Sequence, residues 1–191
     1  MENKSKNKVL TLALCAVFAT LIFLPTAYLH IPVGMGQYIH FGDAIIYIAA
    51  CVLPFPFGAL AGAIGGGLAD LLTPGYGYWA PFTMVIKFLI ALPMNAKADK
   101  ILTKRNGCMS ILSGAISTTG YYISTVIIMA FGIGGYDKVE GSFTALLSAA
   151  AIDSIPGSFV QSIGSIIIFI VLAAALDKAG FKNYIKKYIG K

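Results

Sequence analysis

Residues 40–87 read HFGDAIIYIAACVLPFPFGALAGAIGGGLADLLTPGYGYWAPFTMVIK, an apolar, glycine-rich stretch whose only formal charges are Asp43, Asp70 and Lys87. Pro54-Phe55-Pro56 divides two apolar runs, and the aromatic turn at residues 73–79 separates the second from a third. Proline and glycine punctuate helices, so the stretch reads as three apolar helices joined by tight turns. A lysine or aspartate at the centre of a lipid-facing helix costs about 2.5–3.5 kcal/mol on insertion scales. Such residues therefore face the protein interior or a watery cavity, and the three charges mark a candidate site.

The rest of the chain has the same solvent. Hydrophobic residues make up 58% of the 191, charged residues 12%, and mean hydropathy is +0.81, well outside soluble globular usage. The length leaves room for about six spans of ~20 residues and no soluble domain. Expected spans are 9–30, 42–53, 57–72, 80–96, 108–131 and 156–176, all within a single transmembrane domain covering residues 1–191. The fold class is an all-α integral membrane protein. Span 42–53 is short, since 12 residues rise only ~18 Å. The apolar N-terminus reads as a first span and not a cleaved signal, being long and lacking a small-x-small site. The run after Gly141 is split at Asp153-Ser154-Ile155-Pro156, where a polar cap and an early proline start a helix, leaving 144–152 as a short outer segment.

The net charge of +6 does not imply nucleic acid, because the basic residues border apolar runs. Lys4, Lys6 and Lys8 precede the first run, Lys97, Lys100, Lys104 and Arg105 sit mid-chain, and Lys178, Lys182, Lys186, Lys187 and Lys191 follow the last. The positive-inside rule sets all three clusters, and hence both termini, in the cytoplasm. Asp137, Lys138 and Glu140 fall in an outer loop. Cys15, Cys51 and Cys108 form no C-x-x-C pair and read as packing residues. His30 and His40 flank an outer loop and read as surface residues. No metal site, phosphate loop or acid–base set for an enzyme is apparent.

Four sets of residues carry the functional reading. Gly58, Gly62, Gly66 and Asp70 recur every fourth residue, which puts them along one helix face and lets a second helix approach closely. Lys87 lies about 12 Å along the helix from Trp79 at ~1.5 Å per residue; it either locks spans together through an ion pair or offers a donor to a bound polar ligand. Asp43 and Asp70 are expected to hold the scaffold. Trp79, Phe82, Tyr121 and Tyr122 supply flat rings suited to a heterocycle, and Gln161, in the middle of a span, needs a buried partner or a ligand. Finally, Thr11, Cys15 and Ala19, with Ala16 and Thr20 beside them, make a small-residue face on the first span that suits contact with a helix of this chain or of a partner.

Phe41-Gly42-Asp43-Ala44, Gly58-Ala59-Leu60-Ala61-Gly62, Ala69-Asp70-Leu71-Leu72 and Trp79-Ala80-Pro81-Phe82-Thr83 followed by Lys87 closely resemble the substrate-binding S components of energy-coupling factor (ECF) vitamin transporters. The likeness is to the branch taking riboflavin, hydroxymethylpyrimidine or pyridoxine-type ligands, and it extends to Gly120-Tyr121 and to Pro156-Gly157 with Gln161. It implies a six-helix bundle in the bacterial cytoplasmic membrane that captures a vitamin or precursor from outside. It also implies docking on a membrane coupling subunit, the T component, with two ABC ATPases, and toppling to release the ligand inside. No cofactor is implied, and ATP hydrolysis falls to the partner chains. The docking motif usual in the first span, Ala-x-x-x-Ala, is represented here by Thr11, Cys15 and Ala19 and by Ala16 and Thr20. The alternative is a stand-alone ion-coupled transporter or channel, which would bury the same charges but work without partners or ATP.

Overall fold

The computed structural model describes residues 2–33, 37–136, 138–139 and 141–189. Asp137, Glu140 and Lys191 lie outside them, as does the loop tip Gly34-Met35-Gly36. Among the described residues the regular structure is helical except for one small hairpin, with irregular connections such as residues 92–103 between the helices. The helices are α1 (Glu2–Tyr28), α2 (Gly42–Val52), α3 (Phe57–Leu72), α4 (Ala80–Ala91), α5 (Lys104–Phe131), α6 (Phe143–Lys178) and α7 (Phe181–Ile189). The hairpin pairs β1 (Ile31–Val33) with β2 (Gln37–Ile39), antiparallel, with Pro32 opposite Tyr38. α1, α5 and α6 are long and apolar enough to cross a membrane, while α2, α3 and α4 are shorter apolar helices.

The short helices hold the interior. α2 has 11 residues and rises about 16 Å, roughly half of a ~30 Å hydrocarbon core. Irregular backbone at such a depth is tolerated only where protein surrounds it, and α2 is buried along nearly its whole length, from Gly42 to Val52. The glycine ladder of α3 explains how its neighbours come so close. A Cβ on Gly58 would stand 2.6 Å from the Ala50 Cα of α2, and one on Gly66 would stand 2.9 Å from Lys87 Cγ of α4. At Gly62 it would meet both helices, Ile46 Cγ2 at 3.0 Å and the Lys87 carbonyl oxygen at 3.1 Å. Removing side chains from this face thus makes room for the stem of the buried lysine.

α1 packs on α3 through Cys15, Ala19 and Ile22. A Cβ on Gly65 would lie 2.5 Å from the Ala19 carbonyl oxygen, and Cys15 Sγ donates to the Phe57 carbonyl at 3.3 Å. Of the small-residue set on α1, Thr11, Cys15 and Ala19 are therefore buried inside the chain, whereas Ala16 and Thr20 remain exposed. Opposite, α5 and α6 meet along a seam of small polar residues. Ser162 donates to the Gly114 carbonyl at 3.0 Å, and a Cβ on Gly114 would stand 3.1 Å from Ser162 Cβ.

Three boundaries differ from expectation. α4 ends at Ala91 and not near residue 96, and the following segment is held instead by Asn106, whose Oδ1 accepts from Asn95 N at 3.1 Å. α5 begins at Lys104, because the Thr103 hydroxyl caps it by accepting from Asn106 N at 3.0 Å. α6 is one helix of 36 residues running through Pro156, so no break separates residues 144–152 from the later span. The cap is Ser142, which accepts from Ala145 N at 3.2 Å, while the Ser154 hydroxyl turns back onto the Ala150 carbonyl at 2.7 Å. Prolines persist inside membrane helices when neighbours satisfy the freed backbone groups. The loop after α1 is the β1–β2 hairpin, and the basic tail forms α7.

Candidate functional site

Five segments converge on one small cavity. α4 and the 3₁₀ turn before it contribute Trp79, Thr83 and Lys87, spaced at helical steps that put all three on one face; α5 contributes Tyr121, and α6 contributes Gly157, Ser158 and Gln161. Asp70 comes from the C-terminal turn of α3, Tyr76 from the turn that follows, and Tyr38 and His40 from β2 and the residues leading into α2. The cavity is open on one side, and its interior offers about 30 Å³, room for water but too tight for a flat ring system. A flat heterocycle therefore fits only when a wall moves outward.

The floor is a buried ion pair. Lys87 Nζ lies 2.6 Å from Asp43 Oδ1, with the two side chains 1% and 0% exposed. The lysine also stands 5.0 Å above the centre of the Tyr121 ring, within cation–π range. Asp43 sits in the first turn of α2, where the helix dipole favours a negative charge. Its second oxygen accepts from Gln161 Nε2 at 3.4 Å. An ammonium carries three donors, and Asp43 takes one of them.

Gln161 has the buried partner that its position in a span calls for. Its Nε2 donates to the His40 carbonyl at 2.7 Å and its Oε1 accepts from the His40 N–H, also at 2.7 Å. The amide thus pairs with the backbone at the end of the hairpin. It lines the cavity, but its polar atoms are taken up within the chain. His40 itself is buried, and its Nδ1 accepts from the Gly42 N–H at 3.0 Å, which leaves the proton on Nε2 and the ring uncharged. Burial, chiefly, and the nearby Lys87 push its pKa down to about 3.

Asp70 also differs from a purely structural residue. It is 2% exposed and accepts a hydrogen bond from the Tyr38 hydroxyl on Oδ1. Burial and the adjacent carboxylate drive the Tyr38 phenol well above its ordinary pKa, so it stays a donor. The other oxygen, Oδ2, has no hydrogen-bond partner among the described residues, and neither has Trp79 Nε1 on the same wall. Phe82 packs edge-on to Trp79, with centroids 6.4 Å apart, behind the lining. Tyr122 belongs with it to an outer cluster built around Trp79, Ile128 and Tyr136.

Sequence reading alone missed Tyr38, His40, Tyr76, Thr83 and Ser158 as wall residues. Thr83 was within reach, since it stands one turn before Lys87 on a face that also carries Trp79. Tyr38 and His40 were not, because the hairpin that folds them inward has no hydrophobic periodicity of its own.

A family model described as "ECF-type riboflavin transporter, S component" matches residues 6–178. An uncharacterized protein from the gap 3′ region of Pyrococcus woesei is 39% identical over 67 residues, 35% of this chain. The match spans 44% of that relative's length.

Proposed function

The chain belongs to the family of ECF-type riboflavin transporter S components, and from that premise we propose that it captures riboflavin or a closely related uncharged heterocycle in the cavity between α3, α4, α5 and α6. The observation that carries this reading is the combination of aromatic walls with a buried charged floor. Trp79 and Tyr121 lie 5.9 Å apart between ring centres and offer faces for stacking. Lys87 and Ser158 bring polar groups to the same space, as pockets for small molecules commonly do. Phe82 and Tyr122 back the walls, Asp43 positions Lys87, and Gly58, Gly62 and Gly66 allow the close packing that buries it. Gln161 positions the hairpin. Ligand access comes from separation of the hairpin from α3 and α6, since Tyr38 and His40 line the cavity from the hairpin and the residues after it.

The bundle works as one transmembrane domain with six crossings and both termini inside, in a bacterial cytoplasmic membrane. It has no enzymatic activity of its own. Release inside requires a T component and two ABC ATPases. Docking uses the exposed side of α1 carrying Ala16 and Thr20, since Thr11, Cys15 and Ala19 are buried within the chain. Binding is tested by titrating the purified detergent-solubilised protein with riboflavin and following quenching of flavin fluorescence. Saturable one-to-one quenching is expected, weakened by Lys87→Ala; equal affinity of that variant removes Lys87 from the site. Uptake into liposomes by this chain alone, without partners or ATP, would establish a stand-alone transporter instead.

A further inference from the structure

The charges around the cavity do not cancel. Asp43 and Lys87 neutralise each other across 2.6 Å, and the His40 ring is uncharged. Asp70 remains, buried at 2% exposure, with no cation within ion-pairing distance among the described residues. Its Oδ1 is engaged by the Tyr38 hydroxyl, while Oδ2, on a residue that lines the same cavity, is buried without a hydrogen bond of ordinary geometry, Thr83 and Lys87 being the polar groups nearest the carboxylate. A buried carboxylate oxygen lacking a donor is costly unless something else supplies one.

We propose that Asp70 is the specificity-determining residue of this cavity: Oδ2 accepts an N–H or O–H of the bound heterocycle, and the carboxylate, which has no ion-pair partner of its own, excludes anionic forms of the same compound, phosphate esters above all. The inference rests on the flavin-type reading of the site and narrows it to the unesterified vitamin. Tyr38 is a positioning residue here, because its hydroxyl fixes which carboxylate oxygen is left for the ligand. Trp79 Nε1, the other unpartnered polar atom of the wall, supplies a donor. The ligand that satisfies both atoms presents at least one donor and one acceptor and carries no negative charge.

The test compares ligands that differ in charge. Riboflavin and riboflavin 5′-phosphate are titrated into wild type and Asp70→Asn, together with a size-matched pair, 10-carboxymethylflavin and its carboxamide. One unit charge roughly 10 Å away at an effective dielectric of about 20 changes affinity by about tenfold or more. Wild type is expected to prefer riboflavin over the phosphate, and the amide over the carboxylate, by at least that factor. Asparagine keeps an acceptor and removes the charge, so both ratios should shrink toward unity in Asp70→Asn while riboflavin still binds. Wild type binding the amide and the carboxylate equally would overturn the proposal, as would ratios unchanged by Asp70→Asn. If that variant does not fold, the wild-type amide and carboxylate decide alone. If wild type binds none of the four flavins, the flavin reading itself fails and this inference falls with it.

Discussion

Replacing Lys87 by Met keeps most of the side chain's volume and leaves Asp43 as an unpaired buried carboxylate. The two groups are almost fully inaccessible and 2.6 Å apart. Removing one partner of such a pair costs about 3–5 kcal/mol, mostly as the penalty of the charge left behind. For a chain of this size 1 kcal/mol moves the melting temperature by about 2–4 °C, so Lys87→Met should lower it by roughly 6–20 °C. Asp43→Asn should do the same from the other side. The double variant buries no unpaired charge and should recover most of the loss, since neutral replacement of a buried pair is often close to neutral in stability. The assay is thermal unfolding in detergent without ligand, read by tryptophan fluorescence, for wild type, both single variants and the double. Trp79 is the only tryptophan and lines the same cavity, so the signal reports on the site. Additive losses in the double variant would refute the reasoning, because they would mean that the two charges do not interact.

Gly58→Ala puts a methyl 2.6 Å from backbone of α2 and should destabilise by about 1–3 kcal/mol or more through overpacking; Gly77→Ala, with nothing within 4 Å, is the control, and chemical unfolding compares them. Gln161→Leu removes two hydrogen bonds to His40 and should speed hydrogen exchange at the His40 amide while leaving α5 and α6 protected, as read by exchange mass spectrometry. Tryptophan at Ala19 should prevent folding. Tryptophan at Ala16 or Thr20 should leave riboflavin binding intact and block co-purification with the coupling subunit; retained co-purification would move the docking surface elsewhere.

Much of the core was legible because its determinants are local. The prolines at 54 and 56 stop α2, and the glycines every fourth residue in α3 announce a face that something approaches. Lys87 and Asp43 each signalled a buried charge, but their pairing depends on how α2 and α4 come together against α3, which no local pattern states. Pro156 misleads because a proline just after Asp153 and Ser154 looks like a helix start, yet inside a packed apolar bundle neighbouring groups carry the helix through. The surroundings of Gln161 and Asp70 were hidden for a similar reason. An amide midway along a span and a carboxylate at a helix end look alike in the sequence, and only the hairpin pairs the first with the His40 backbone and the second with the Tyr38 hydroxyl.

In the binding cycle proposed above, that hairpin bears on the kinetics of capture. A two-stranded ribbon is marginal by itself, and here a glutamine from α6 pairs with its end as a third strand would. Lifting the ribbon away from α3 and α6 breaks the two Gln161 hydrogen bonds and the one from Tyr38 to Asp70. At about 0.5–1.5 kcal/mol net for each of the two amide bonds and about 1.5–3 kcal/mol for the one to the carboxylate, the three amount to about 2.5–6 kcal/mol. The open population is then between roughly one part in seventy and one in twenty-five thousand, and the apparent affinity falls below the intrinsic one by the same factor. Once the ribbon closes over a ligand, the bonds that made the cavity slow to fill also lengthen the time the ligand stays.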